Sequence, residues 1–241
     1  MRAFAHNSYD DYYDNAMKDF PWPSRAFIAF VCGVCGIVTK VLWPWKIENG
    51  EGLWNDKRGR VIVGNHVSML EPVATIISLY MHGISCRPIY KSEFDKAPLA
   101  KWLFSRAGAI PVERGTADIK CVRRAERALK RGECVLIYPE GTRIRTDDEP
   151  VEIHGGFALM ARLAKAPVVP MAVVGARDIT PQGTHFKRLF WRVYLKVGEP
   201  IDFDDVPGTN KRDKTEEMER IAMERVYALR DELRAEHPGK N

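Results

Sequence analysis

Val61-Ile62-Val63-Gly64-Asn65-His66-Val67-Ser68-Met69-Leu70-Glu71-Pro72 is the stretch that decides the fold. Three β-branched apolar residues closed by a glycine read as a strand buried on both faces. Pro72 then opens an apolar segment that reaches His82, and proline suits the first turn of a helix, so a helix is predicted over 72–82. A buried strand feeding a helix through a polar loop is the first half of a βαβ unit. His66 and Glu71 then share a strand-to-helix loop, where α/β proteins place chemistry. An imidazole held by a carboxylate can take a proton from a hydroxyl near neutral pH. An ordinary structural His–Glu pair would show the same two residue types, so the loop needs support from elsewhere in the chain.

Outward from this stretch, strand and helix patterns alternate. Strands are predicted at 87–90, 109–112, 134–138, 168–174 and 192–197. Helices are predicted at 98–107, 117–130 and 157–165, with a charged amphipathic helix over 213–236 striped by Met218, Ile221, Ala222, Val226, Leu229 and Leu233. The 117–130 segment turns Ile119, Val122, Ala125 and Leu129 one way and a basic set led by Arg123, Arg124 and Arg127 the other. Pro170 inside an apolar strand points to an edge or a bulge. The fold class is therefore α/β, with a mixed, largely parallel sheet covered by helices on both faces.

The 241 residues suffice for one such domain with a full core. The 37 basic and 32 acidic residues leave a net charge of +5. No dense Lys/Arg block with interleaved aromatics is present, so nucleic acid is not a predicted partner. A mild basic excess suits an anionic membrane surface or a phosphate-bearing substrate. Five cysteines, an odd number, fit a reducing compartment better than a disulfide framework. Cys32 and Cys35 form a C-x-x-C inside an apolar run and read as packed thiols.

Before the domain, residues 26–39 carry no charge, and Trp22, Trp43 and Trp45 flank the apolar run with Arg25 and Lys46 beside them. Tryptophan and basic residues at the ends of an apolar helix favour a membrane interface. Lys40 breaks the run short of the roughly 20 apolar residues a span needs. The favoured reading is a monotopic or re-entrant anchor; a single span and a buried core helix are the alternatives. The acidic, aromatic first twenty residues are the reverse of a signal peptide.

Three further stretches carry charge to strand ends. Gly108 to Gly115 ends a strand with Arg114, a fixed cation able to grip a phosphate bidentately. Tyr138-Pro139-Glu140-Gly141-Thr142-Arg143 follows the most apolar strand, and Gly141 permits a tight turn or a close ligand approach. Val168 to Ala172 is structural or lines an acyl pocket. In this order, the four stretches resemble the 1-acyl-glycerol-3-phosphate acyltransferase family. The family's Asn-His-x4-Asp block is similar to Asn65-His66 through Glu71. Its Gly-to-Arg block is similar to Gly108 through Arg114, its Pro-Glu-Gly-Thr-Arg block to Pro139 through Arg143, and its Val-Pro block to Val169 through Ala172. Lys91 matches the lysine that follows the family's first helix. The resemblance covers about residues 60–200. Three residues depart from it: Glu71 and Glu113 where Asp or Asp/Asn is usual, and Ile144 where a hydroxyl residue is usual.

The resemblance implies acyl transfer from an acyl thioester to the sn-2 hydroxyl of a lysolipid, giving phosphatidate. His66 is then the general base and Glu71 its carboxylate partner, as in a Ser-His-Asp triad. The substrate's own hydroxyl replaces the serine, which accounts for the missing G-x-S-x-G elbow. Lys91, Arg114 and Arg143 would hold the acceptor phosphate, and Glu140, Gly141 and Thr142 would line the acceptor site. No metal and no bound cofactor are expected. The acyl donor is acyl-CoA or an acyl group on acyl carrier protein, and the basic face of 117–130 is either a carrier-protein contact or a solvated surface. Residues 1–50 read as a membrane-anchoring helical segment and residues 51–241 as the catalytic domain, placed on the cytoplasmic face of the cell membrane. A different lysolipid acceptor, or a non-catalytic scaffold with a decayed site, are the competing readings.

Overall fold

The computed structural model describes residues 8–113, 118–144, 146, 152–180 and 187–241. Among them, seven strands form one sheet: β1 (Trp45–Glu48), β2 (Val61–Gly64), β3 (Cys86–Lys91), β4 (Ile110–Val112), β5 (Cys134–Ile137), β6 (Val168–Val174) and β7 (Val193–Val197). Their order is β1-β7-β6-β2-β5-β3-β4. β6, β2, β5, β3 and β4 are mutually parallel; β7 meets β6 antiparallel, and β1 runs with β7. The helices are α1 (Tyr9–Asp14), α2 (Trp22–Leu42), α3 (Glu51–Trp54), α4 (Leu70–Met81), α5 (Pro98–Arg106), α6 (Ile119–Lys130), α7 (Gly156–Ala164) and α8 (Lys211–Glu236). The mixed, largely parallel α/β sheet is as the residue pattern predicts.

β2 shows why its sequence is apolar throughout. Ile62 packs with Leu70, Ala74 and Ile77 of α4 on one face. Val61 and Val63 pack with residues of α6, α7 and α8 on the other. Successive side chains of a strand point to opposite faces, so both sets must be hydrophobic when helices cover both sides.

Two sequence expectations are corrected, and two sets of alternatives are decided. The helix after β2 starts at Leu70, so Glu71 sits in its first turn and not on a loop. Pro72 is tolerated there because the first turn has no partner for its amides. Pro170 is not on an edge: β6 lies between β7 and β2. The bulge is the alternative that holds, as a register slip. Met171 opposes Val197 but Val168 opposes Ile201, which inserts one extra residue opposite Pro170. Trp45 and Lys46, read with the anchor, instead open β1, whose partner Val193 is far along the chain. The buried-core reading of α2 also fails. It is a 21-residue helix whose most apolar window has a mean hydropathy of 1.9 and is only 6% buried. Ile28 and Cys32 are its apolar residues that enter the core, while Phe30, Val34, Ile37, Val38 and Val41 remain exposed. By length and composition it can cross a membrane, yet it also lies close on the domain: a Cβ built on Gly36 would meet Ile77 of α4 at 3.3 Å.

The N-terminal segment is tied down by charge. Arg87 is fully buried on β3; its Nε donates to Glu133 at 3.1 Å and its Nη1 to the Tyr13 carbonyl at 3.0 Å. Arg124 and Arg127 of α6 pair with Asp14 at 3.1 and 2.6 Å, and Arg124 also with Asp10. Part of the basic face of α6 is therefore occupied by this chain's own acidic segment.

Candidate active site

Topology assembles the site. β2, β5, β3 and β4 are neighbours and parallel, so the residues that follow their carboxyl ends gather at one edge of the sheet, where α/β proteins bind ligands. His66 follows β2, the Tyr138–Arg143 stretch follows β5, Lys91 ends β3, and β4 ends just before Glu113. Arg114 lies outside the described residues.

Glu71 is 0% exposed, and four donors converge on its carboxylate. His66 Nδ1 lies 2.7 Å from Oε1. The Val67 and Ser68 amides donate to the same oxygen, each at 2.8 Å. The Ser68 hydroxyl donates to Oε2 at 2.6 Å and accepts from the Leu70 amide at 2.9 Å. Ser68 and Glu71 thus form a capping-box-like exchange at the start of α4. This is how the longer glutamate reaches the imidazole: the helix start folds its side chain back over the loop. With Nδ1–H given to Glu71, Nε2 is the ring nitrogen left to accept a proton.

The ring is fixed from a second side. Tyr138 stacks on His66 at 4.6 Å and 22°, and a Cβ on Gly64 would sit only 3.2 Å from the Tyr138 ring. Burial, and next the Glu71 carboxylate, push the Tyr138 phenol well up. The His66 amide donates to Glu140 Oε2 at 2.7 Å, its carbonyl accepts from Ile144 at 2.8 Å, and Tyr227 of α8 donates to Glu140 Oε1 at 3.2 Å. Burial raises the Glu140 carboxyl against the pull of the His66 amide. Glu140 therefore turns inward and clamps the two loops together. Gly141 adopts φ +62°, and a Cβ there would lie 2.8 Å from the His154 ring. Asn65 extends the sheet: its side chain exchanges two hydrogen bonds with the Val173 backbone, at 3.1 and 2.8 Å.

His66, Lys91, Gly141, Thr142 and Arg143 line one cavity of about 1300 Å³, together with His154. Its far walls are apolar side chains of α2, α4 and α5, such as Val31, Val73, Ile76 and Leu103. Small-ligand pockets are typically about 300–1000 Å³, so this one has room for a long apolar group as well as a polar head. The sequence reading missed Ser68, Tyr138, His154 and Tyr227. The Ser-x-x-Glu spacing signals the first; the others come from elements with no local mark of their role.

A parallel sheet that presents a His–carboxylate pair and a Pro-Glu-Gly-Thr-Arg turn to an apolar cavity has the features that the sequence resemblance leads one to expect of an acyltransferase. The Acyltransferase family model matches residues 46–174, more than half of the chain, and the chain belongs to that family. The chloroplast 1-acyl-sn-glycerol-3-phosphate acyltransferase of Arabidopsis thaliana is 32% identical over 73% of this chain and 49% of its own length. The 1-acyl-sn-glycerol-3-phosphate acyltransferase of Bacillus subtilis is 26% identical over 78% and 89%. The lyso-ornithine lipid O-acyltransferase of Pseudomonas aeruginosa is 29% identical over 55% and 57%. The chain spans about half the length of the Arabidopsis relative and less of a second plant relative, from Brassica napus. Among solved structures, the 1-acyl-sn-glycerophosphate acyltransferase PlsC of Thermotoga maritima superposes with a TM-score of 0.62 at 20% identity, over 95% of this chain and 85% of that one; the two share a fold.

Proposed function

We propose that the protein transfers a fatty acyl group from an acyl thioester to the sn-2 hydroxyl of 1-acyl-glycerol-3-phosphate, giving phosphatidate. One observation carries the reading: His66, its Nδ1 engaged by Glu71, lines a large cavity with apolar walls and with Lys91 and Arg143 on its surface. Nε2 takes the proton of the acceptor hydroxyl as that oxygen attacks the thioester carbonyl carbon. The carbon–sulfur bond then breaks, and the proton passes to the departing thiolate. Glu71 stabilises the imidazolium that forms between these steps. Proton transfer of this kind contributes about 10²–10⁴-fold, and holding both substrates in line supplies roughly 7–11 kcal/mol. Lys91, Arg114 and Arg143 serve the acceptor phosphate, and Gly141 and Thr142 the turn beside it. Glu140 acts through His66, as a positioning residue.

The donor is acyl-CoA or acyl carried on acyl carrier protein. The enzyme works at the membrane, with α2 in the cytoplasmic leaflet where the acceptor resides. A second reading is favoured by the Pseudomonas relative and by the departures at Glu113 and Ile144: a lysolipid acceptor with another head group. One assay separates them. Purified protein in detergent is given lysophosphatidate, lyso-ornithine lipid and lysophosphatidylcholine with each donor, and products are weighed by mass spectrometry. Fastest turnover on lysophosphatidate is the expected result. Faster turnover on another acceptor transfers the assignment to that lipid, and no turnover on any overturns the enzymatic reading.

A further inference from the structure

The loop before β7 has no part in the chemistry above, yet it is built with care. Leu189 and Phe190 at its tip are 53% and 69% exposed. Phe190 adopts φ +58°, where a bulky residue is an outlier and is held only by its surroundings. Those surroundings are tertiary. The Phe190 amide donates to the Leu42 carbonyl at the end of α2, at 2.5 Å. Trp43 Nε1 donates to the Arg188 carbonyl at 2.8 Å, and the Arg188 amide to the Ile179 carbonyl at 2.8 Å. The apolar tip is thus bolted to the last turn of the exposed apolar helix.

Cations surround it. Lys187 lies over the Trp43 ring at 5.9 Å, and Arg188 and Lys240 over the Trp191 ring at 5.0 and 3.1 Å. The charges act on one another: burial first, then Arg188 and Arg192, lower the Lys240 ammonium against the pull of Asp178. Among the described residues, Lys187, Arg188, Arg192 and Lys240 form no ion pair. β7 runs antiparallel to β6, so this loop leaves the sheet at the same end at which β2 delivers His66.

An exposed apolar tip, a tryptophan belt and unpaired cations side by side match a bilayer interface with anionic headgroups. We infer that Leu189 and Phe190 form a second membrane contact, inserted into an anionic phospholipid leaflet with the surrounding lysines and arginines on lipid phosphates. The tip and the end of α2 then fix the rotation of the domain, so that the catalytic edge of the sheet faces the leaflet. The inference rests on the membrane reading of α2, and the test keeps the two apart.

Nitroxide probes are placed by Phe190→Cys and, separately, by Ile37→Cys on α2, in a chain with Cys32 and Cys35 replaced by alanine. The protein is reconstituted into phosphatidylcholine vesicles with and without phosphatidylglycerol, and probe depth is read from oxygen against a water-soluble nickel relaxant. The expected result is a probe at 190 below the phosphate level in the anionic vesicles. A probe at 190 in water while that at 37 is in lipid overturns the tip contact and leaves the anchor standing. Both probes in water overturn both. In a second measurement, Leu189→Ser is combined with Phe190→Gly, since glycine takes this backbone conformation without strain. Flotation with anionic vesicles is expected to show affinity lower by about tenfold or more. Unchanged affinity refutes the contact.

Discussion

Glu71→Gln tests the carboxylate with little disturbance of anything else. The amide keeps the size of the side chain. Its oxygen can still accept from His66 Nδ1 and from the Val67 and Ser68 amides, and its NH2 can donate to the Ser68 oxygen that now faces Oε2. The charge is lost, and the Ser68 hydroxyl turns from donor to acceptor in its bond with residue 71. With about 4 Å between charge centres and an effective dielectric constant of about 20, the carboxylate stabilises an imidazolium by about 4 kcal/mol. Each ~1.4 kcal/mol is tenfold in rate, so kcat falls by up to about 10³-fold. Glu71→Ala would also fall, but it strands two amides beside a site that is 0% exposed, and buried unsatisfied groups cost about 1–3 kcal/mol each. Alanine confounds catalysis with folding; glutamine does not. The assay is single-turnover acyl transfer at saturating substrates, with thermal melting of both proteins in the same detergent. A melting temperature within a degree or two of wild type and a large loss of kcat are expected. A kcat within threefold of wild type in a folded Glu71→Gln protein would refute the dyad.

His66→Ala removes the base and is expected to lower kcat by about 10²–10⁴-fold with an unchanged circular dichroism spectrum; turnover near wild type would remove His66 from the reaction. Arg114→Ala is expected to raise the acceptor KM much more than the donor KM in steady-state kinetics, and equal changes in both would deny it the acceptor phosphate. Gly141→Ala forces a φ of +62° on a residue with a Cβ, and that Cβ meets the His154 ring at 2.8 Å. The left-handed conformation alone costs about 1–2 kcal/mol, so the melting temperature is expected to drop by several degrees, at about 2–4 °C per kcal/mol, and an unchanged melt would show the turn to be slack. Glu219 of α8 has a carboxyl pushed up to about 7 by burial and by Glu216. Its folded-state value lies above the unfolded one, so the native state binds more protons between the two, and stability falls as pH rises from about 4.5 to 7. Glu219→Gln is therefore expected to stabilise the protein at pH 8 and much less at pH 5 in paired melts; the same shift at both would exclude this titration.

The strands and helices of the central sheet could be read locally because both faces of β2, β5 and β6 are covered, which leaves runs such as Val61–Gly64 with no polar position to confuse the pattern. β1 could not, since four residues next to a tryptophan-flanked apolar helix carry no sign of a partner at Val193. Pro170 was legible as an edge or a bulge, and the choice between them was not, because the slipped partner lies beyond β7. The proposed membrane tip at Leu189–Phe190 has no period or motif; its strain and its cations acquire meaning only beside the end of α2.

By itself the sequence determined the family, the His66–Glu71 pair proposed as base and carboxylate, and the order of the strand-end motifs, because these depend on residue types at short fixed spacings. The tertiary structure alone decided that Glu71 reaches His66 from a helix turn, that Glu140 faces inward to clamp the His66 loop to α8, and which apolar walls enclose the cavity. Those features depend on contacts between residues far apart in the chain, and such contacts form only when the parallel strands bring their ends to one edge.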